Sequence, residues 1–346
     1  MILAFPNVRI KQMKSIEGID VSGKRIIVWA DLDVPVENNR VVDDTRLQAA
    51  SQTLSHLRSK DAAILMIGHL GRPKNRDSTF SFKPVAEKLG EILGFEIEFL
   101  EEIKQPQTGL TMLENIRFWP GERVVDQKFA QEIAKLGQIY VNDCFATSHH
   151  DGATMRYLPK FLPSYAGLNL VREVEELKKV MESPARPLVA IIGGAKLETK
   201  LPAIYNLAKV ADKVLVGGKL MLEVEIRSLP ENVVVAYDDI ETKDIGPNSR
   251  KLFKELIAGA CTIVWNGPMG VFEEDKYMEG TKEVAASVVE SKGYTVVGGG
   301  DTIAALNKLG LLDKINFVSM GGGAMLDFLA GKKLPGLEAL EKSNNG

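Results

Sequence analysis

Residues 294–302 read Tyr-Thr-Val-Val-Gly-Gly-Gly-Asp-Thr. Thr295, Val296 and Val297 are β-branched and fit a buried strand. Gly298, Gly299 and Gly300 follow, then Asp301 and Thr302, and Ile303-Ala304-Ala305-Leu306 opens a helix-like run. A strand that passes through glycine into a helix presents unpaired N–H groups at the positive end of a helix dipole. That is a recipe for holding an anion, most often a phosphate. Asp301, placed there, can hold a cation that such a phosphate carries. One glycine suffices for an ordinary strand-to-helix turn, so three in a row before Asp-Thr argue for a bound phosphate.

Outward from this stretch the chain alternates strands and helices. Strands are expected at Arg25–Ala30, Ala62–Ile67, Phe95–Phe99, Leu110–Leu113 and Gln138–Asn142, with helices at Asp44–Arg58 (capped by Asp43 or Asp44), Lys83–Leu93 and Phe129–Leu136. A helix at Val171–Met181 runs into the Pro-rich segment Ser183–Pro187. Beyond it come strands Leu188–Ile192, Lys213–Val216, Asn232–Ala236, Thr262–Val264, Tyr294–Val297 and Phe317–Ser319, and a helix at Lys200–Val210. This alternation implies α/β folding with parallel sheets, helices on both faces and ligands beyond the carboxyl ends of the strands.

Length and composition set the bounds. The 346 residues suggest about two domains, and 45% hydrophobic with 26% charged residues is an ordinary soluble composition. A net charge of −3 gives no electrostatic reason to expect nucleic acid or an anionic membrane as partner. Cys144 and Cys261 are the only cysteines, so no disulfide framework or thiolate cage is expected. Met1–Lys11 lacks a basic region followed by an apolar core, and no apolar run reaches a membrane span. A cytoplasmic protein is expected, with Lys342–Gly346 frayed. Twenty of the 31 glycines lie beyond Ile192 and all four histidines before it, which divides the chain into a glycine-rich and a basic half.

In the basic half, four strand-end segments carry polar residues that packing does not demand. They are Asp31-Leu32-Asp33-Val34-Pro35 with Thr45-Arg46 shortly after, His69-Leu70-Gly71-Arg72-Pro73, Leu113-Glu114-Asn115-Ile116-Arg117-Phe118, and Asn142–His150. Together they can bring Arg46, Arg72, Arg117 and the histidines to one sheet edge. Guanidinium groups bind carboxylate and phosphate bidentately, so a small acidic, phosphorylated metabolite is the expected ligand.

In the glycine-rich half, Gly193-Gly194-Ala195-Lys196 leads to Lys200. Spacing of four puts two ammonium groups on one helical face, although the Walker A spacing is absent. Gly217-Gly218-Lys219 ends another strand. Trp265-Asn266-Gly267-Pro268-Met269-Gly270-Val271-Phe272-Glu273 is a rigid turn with a carboxylate for ribose hydroxyls, and Gly321-Gly322-Gly323-Ala324 repeats the anion-binding pattern.

Nine of these segments, in order from about Arg25 to Leu340, resemble the phosphoglycerate kinase family. The resemblance implies two Rossmann-like domains joined by a long helix: an acid-binding domain (1–166), the helix (167–183), a nucleotide-binding domain (184–333) and a returning segment (334–346). It implies reversible phosphoryl transfer between 1,3-bisphosphoglycerate and ADP, with hinge closure, Mg2+ and ATP/ADP, in a monomer. By the same resemblance Asp31, Asp33, Arg46, His69, Arg72, Arg117 and His150 lie at the acid site, with Arg46 on the transferring phosphoryl. Lys196 and Lys200 stabilise that group. Gly193, Gly217, Asn266, Glu273, Gly298, Gly299, Gly300, Asp301, Thr302, Gly321 and Gly322 lie at the nucleotide, with Asp301 the metal ligand.

The chain departs from the family at several of these positions. Asp33 stands where Asn is usual, His150 where Arg is expected, Gly68 for Ser and Trp29 near a common Arg, while Lys219 and Met320 replace a Gly and a Thr. The chain is also shorter than most members. The acid pocket is therefore expected to be less positive. A kinase forming an acyl phosphate on a different acid, and a nucleotide binder without turnover, stay open at this point.

Overall fold

Strands that are apolar on both faces bury themselves in the middle of a layered parallel sheet, and two such six-stranded sheets organise this chain in the computed structural model. Residues 13–107 and 109–343 are described. The reading of Met1–Lys11 and the fraying expected at 344–346 lie outside them. Lys342 and Ser343, expected to fray, instead end a helix.

The first sheet is built from β1 (Arg25–Trp29), β2 (Ala63–Ile67), β3 (Glu98–Leu100), β4 (Leu110–Leu113), β5 (Ile139–Asn142) and β6 (Ser164–Ala166). Its lateral order is β3-β4-β2-β1-β5-β6 and every pairing is parallel, with Ile26 level with Ile64 on one side and Ile139 on the other. Helices α1 (Thr45–Ser59), α2 (Lys83–Leu93), α3 (Pro120–Arg123), α4 (Gln127–Ala134) and α5 (Ala153–Phe161) connect these strands, and α6 (Leu168–Glu182) follows. Ile26, Val28, Leu47, Leu54, Phe82 and Met112 share one core.

The second sheet holds β7 (Leu188–Ile192), β8 (Lys213–Val216), β9 (Val233–Val235), β10 (Thr262–Asn266), β11 (Tyr294–Gly298) and β12 (Phe317–Ser319), in the parallel order β9-β8-β7-β10-β11-β12. Its helices are α7 (Leu197–Leu207), α8 (Leu220–Glu223), α9 (Pro247–Ala258), α10 (Glu279–Glu290), α11 (Gly300–Lys308) and α12 (Gly322–Leu329). Val189, Ile191, Phe253, Ile263, Trp265 and Val297 form its core. The last helix, α13 (Pro335–Ser343), belongs to the first unit. One unit comprises the described residues up to Glu173 and from Lys333 to Ser343; the other is Val174–Lys332.

In each sheet the chain leaves its first strand in one direction and later resumes on the other side, between β1 and β5 and between β7 and β10. Such switch points open a crevice at the carboxyl ends of the strands. Among the described residues no helix is long and apolar enough to cross a membrane.

Of the boundaries that differ from expectation, two have clear local reasons. The strand expected at Phe95–Phe99 begins at Glu98, because Gly94 (φ 72°) ends α2 in the left-handed conformation and Phe95 N–H donates back to Gly90 O at 3.1 Å. Phe95 is spent there, half-exposed beneath the Arg58 guanidinium at 3.5 Å. Helix α7 starts at Leu197 rather than Lys200, so Lys196 is its N-cap residue and Lys200 lies in its second turn.

Candidate active site

At the carboxyl edge of the first sheet, Asp31 follows β1 and Arg46 sits in the first turn of α1. The start of α1 is fixed by Asp43, whose Oδ1 accepts from Thr45 N–H at 2.9 Å and from the Thr45 hydroxyl at 2.6 Å. Asp44 instead pairs with Lys88 at 3.2 Å. Arg46 Nη1 donates to both carboxylate oxygens of buried Asp31, at 2.9 and 3.0 Å. Burial opposes the guanidinium charge, but Asp31 outweighs it and holds Arg46 above its ordinary pKa. A preset, permanently charged arginine suits an acidic ligand.

Asp33 is held rather than loose. Its Oδ1 accepts from Gly71 N–H at 2.8 Å, and its Oδ2 lies 3.5 Å from His69 Nε2. Burial pushes its carboxyl up, but His69, the Gly71 N–H and Arg46 together bring it down to about 2. Arg117 Nη1 donates to Gly71 O at 2.6 Å. Asp33 and Arg117 thus grip the same turn, and Arg72 stands exposed next to it.

Other motif residues here are used by the fold. Glu114 Oε1 accepts from Phe82 N–H, and Asn115 Nδ2 donates to Leu70 O and Phe80 O at 2.8 and 3.0 Å. Asn142 Nδ2 reaches Met155 Sδ at 3.2 Å, while Asp143 Oδ1 accepts from Asn169 and Leu170 N–H and so secures the start of α6. Trp29, near a position where the family commonly has Arg, is buried and donates its indole N–H to Thr147 Oγ1 at 3.1 Å.

His149 and His150 stack with ring centroids 3.9 Å apart. Burial, then His149, Arg117, His69 and Arg72, push His150 down to about 4, so at neutral pH it adds a hydrogen-bonding group but no charge. A cavity of about 200 Å³ opens beside it, lined by His69, Arg117, Arg123, Thr147, Trp29 and Glu122 among others. Thr147 belongs to the polar segment Asn142–His150, whereas Arg123 and Glu122 lie outside every segment that the sequence marks. An arginine after a turn carries no local signal; only the fold brings it here.

At the carboxyl edge of the second sheet the glycine turns pack on each other. Gly194 (φ 90°), Gly218 (φ 62°), Gly267 (φ 97°) and Gly299 (φ 101°) all adopt conformations that side chains avoid. A Cβ on Gly218 would lie 2.7 Å from Gly194 N, and one on Gly217 2.6 Å from Met269 Sδ. Lys200 threads between these turns, donating to the Gly193 carbonyl oxygen and, at 3.4 Å, to that of Asn266. Burial, reinforced by Lys196 and partly offset by Asp301, pushes its ammonium down to about 8. Lys196, by contrast, is exposed. The two lysines therefore do not share a helical face but meet the turn as one surface charge and one buried charge.

Thr302 is buried, and its Oγ1 accepts from Gly267 N–H at 2.7 Å, tying the turns after β10 and β11 together. Gly298 lies under Met325 Sδ and Gly322 under the Gly299 backbone, which seats the start of α12 against that of α11. Gly321 caps α12 and donates its N–H to Ser319 Oγ at 3.3 Å. Asp301 and Glu273 present exposed carboxylates. Lys219 pairs with Glu223 at 3.6 Å.

Two features on this edge point to a ligand. Gly300, in the first turn of α11, is exposed, and nothing lies within 4 Å of where its Cβ would stand. Asn266 is buried, yet its Nδ2 has no hydrogen-bond partner and lies 3.0 Å from the position of a Gly299 Cβ. A buried amide without an acceptor costs about 1–3 kcal/mol, a cost that an anion on this turn relieves.

The model of the family described as phosphoglycerate kinase matches residues 16–227 and 222–332. The phosphoglycerate kinase of Desulfosudis oleivorans is 38% identical, covering 96% of this chain and 99% of that one. That of Aquifex aeolicus is 37% identical, covering 95% and 98%. Among solved structures, phosphoglycerate kinase from Coxiella burnetii aligns with a TM-score of 0.85 at 31% identity over 96% of this chain and 99% of that one. The enzyme from Pyrococcus horikoshii aligns with a TM-score of 0.84 at 27% identity over 96% and 100%. The Desulfosudis alignment spans 393 positions against 346 residues here, so the shortening is internal. The family match breaks at residues 222–227, where α8 has only four residues and Leu222 and Ile226 are exposed. In sequence and in fold, the chain belongs to the phosphoglycerate kinase family.

Proposed function

We propose that this chain is a phosphoglycerate kinase, catalysing 1,3-bisphosphoglycerate + ADP ⇌ 3-phosphoglycerate + ATP. The observation that carries the reading is the glycine cradle of the second unit. There a buried ammonium, Lys200, and a buried amide donor without a partner, Asn266 Nδ2, converge beside the open N-terminus of α11. Nucleotide phosphates supply the acceptors that both groups need.

The chemistry requires no covalent intermediate. In the ATP-consuming direction a carboxylate oxygen of 3-phosphoglycerate attacks the γ-phosphorus in line, forming one P–O bond as the bond to the ADP oxygen breaks. A carboxylate is ionised at neutral pH, so no general base is needed. The protein's task is alignment and positive charge. Arg46, set by Asp31, is the charged group assigned to this task in the first unit, and Lys196 and Lys200 are those of the second. Arg72, Arg117, His69 and His150 hold the acid, Asp33 orders their turn, and Glu273 takes the ribose hydroxyls. Gly193, Gly217, Gly298, Gly299, Gly300, Gly321 and Gly322 bring backbone N–H groups close to the phosphates, with Thr302 as their tie.

Mg2+ fits this donor set. Among the described residues no group of three or more acidic, histidine or cysteine side chains is placed to hold a metal. Mg2+ in nucleotide sites is commonly held by one or two carboxylates with substrate phosphates and water. Asp301 would be that carboxylate, and the ion would neutralise charge on the phosphate oxygens. The enzyme is read as a cytoplasmic, glycolytic monomer acting on a small acid and an adenine nucleotide, with neither nucleic acid nor membrane as partner.

Arg46→Ala tests the assignment in a coupled assay with 3-phosphoglycerate and Mg-ATP. We expect kcat to fall by at least about two decades with little change in nucleotide KM. A near wild-type kcat would remove Arg46 from the mechanism.

A further inference from the structure

The cavity beside His150 carries one cation that the family resemblance did not supply, Arg123. Arg123 closes α3, and one of its N–H groups donates to Pro73 O at 3.2 Å. A guanidinium has five N–H donors, so most of this fork is uncommitted where it lines the cavity with Arg117, His69 and His150. Two carboxylates also line it, yet neither cancels the arginines. Asp151 is paired with Arg156 at 2.7 Å. Glu122 is buried, accepts from Thr154 N–H at 2.9 Å, and is pushed up by burial to about 7, so near neutral pH much of it is protonated. At about 200 Å³ the cavity holds several waters at ~30 Å³ each, room enough for a tetrahedral oxyanion. Trp29 and Met155 give it apolar walls.

We propose that Arg123 is a specificity-determining residue of this enzyme, binding the non-transferred phosphate of the acid substrate together with Arg117. It supplies the fixed charge that the neutral His150 does not. The proposal rests on the phosphoglycerate kinase reading for the identity of the acid, but the anion site stands on the cavity alone.

The test is Arg123→Met in the full-length enzyme, alone and combined with His150→Arg. With 3-phosphoglycerate as variable substrate, we expect KM to rise roughly ten-fold, with kcat and the KM for ATP within about two-fold. Adding His150→Arg should recover most of the loss. Inorganic phosphate, titrated calorimetrically without nucleotide, should bind the wild type and bind Arg123→Met more weakly, at an unchanged melting temperature. Unchanged acid KM and phosphate affinity in Arg123→Met would overturn the proposal and leave Arg123 as a strut for Pro73. If 3-phosphoglycerate were not turned over by the wild type while phosphate binding still depended on Arg123, the site would stand and the functional reading would fall.

Discussion

The Lys200 ammonium lies among backbone carbonyls in the site proposed for the nucleotide phosphates, and its charge is marginal there without an anion. Burial, with Lys196 nearby and only partial help from Asp301, brings it to about 8. Above that pH the free enzyme loses the charge, so the value of kcat/KM for nucleotide should fall as pH rises through about 8. A bound polyanion favours the charged form, so the corresponding limb in kcat should lie at higher pH. Initial rates between pH 6.5 and 10 check both statements, since kcat/KM reports the free enzyme and kcat the complex. A kcat/KM that stays flat through pH 9.5 would contradict this, either because Lys200 keeps its charge over the whole range or because nucleotide capture does not depend on it. The carboxylate added at Asp33 is a different case. It is locked to Gly71 and His69 and held near 2, so it is a fixed part of the pocket at any working pH.

At the scale of the element, the glycine turns divide into those the fold needs and those that leave room for a ligand. A Cβ on Gly267 would collide with Gly193 O and Lys200 Nζ at a φ of 97°. Gly267→Ala should therefore destabilise the protein by ~2 kcal/mol or more. Gly300 meets nothing and already sits in a helix, where Ala gains ~0.5–1 kcal/mol over Gly. Gly300→Ala should hold or raise the melting temperature while raising the KM for ATP several-fold. Thermal melts and ATP titrations of both variants check this; unchanged nucleotide KM in Gly300→Ala would mean that no phosphate approaches that backbone. Sequence showed the turns but not this division. Strand Leu188–Ile192 and helix Lys83–Leu93 were legible to the residue because apolar period and punctuation agree there. Helices Pro247–Ala258 and Glu279–Glu290 are not among the elements expected from the sequence, although Gly246-Pro247 and the spacing of Phe253 and Ile257 announce the first. Phe95 was misplaced because its β propensity hides its service at the end of α2.

Over the whole molecule, what was legible was whatever chemistry sits in the backbone or in an uninterrupted motif. The glycine turns, Asp31 and Arg46 as motif residues (though not their pairing) and the order of segments along the chain are of that kind. Partners set by distant residues were not legible. Trp29 bonding Thr147, Asp143 securing α6 and Arg123 facing His150 join residues far apart in sequence, and no spacing rule reports them. The acid pocket is where this matters most, because its charge depends on which groups the fold leaves ionised. His150 is neutral and Glu122 is partly so at neutral pH, which leaves the pocket's cationic character to its arginines. The central claim, that these cations serve 3-phosphoglycerate, is tested most directly by turnover of the purified full chain with Mg-ATP. The panel would be small carboxylic acids with and without a phosphate. The prediction is turnover of 3-phosphoglycerate at a kcat in the ordinary enzymatic range of ~1–10³ s⁻¹, with acids lacking the phosphate at least about a hundred-fold lower in kcat/KM. Turnover of another acid without turnover of 3-phosphoglycerate, or nucleotide binding with no turnover on any acid, would contradict it.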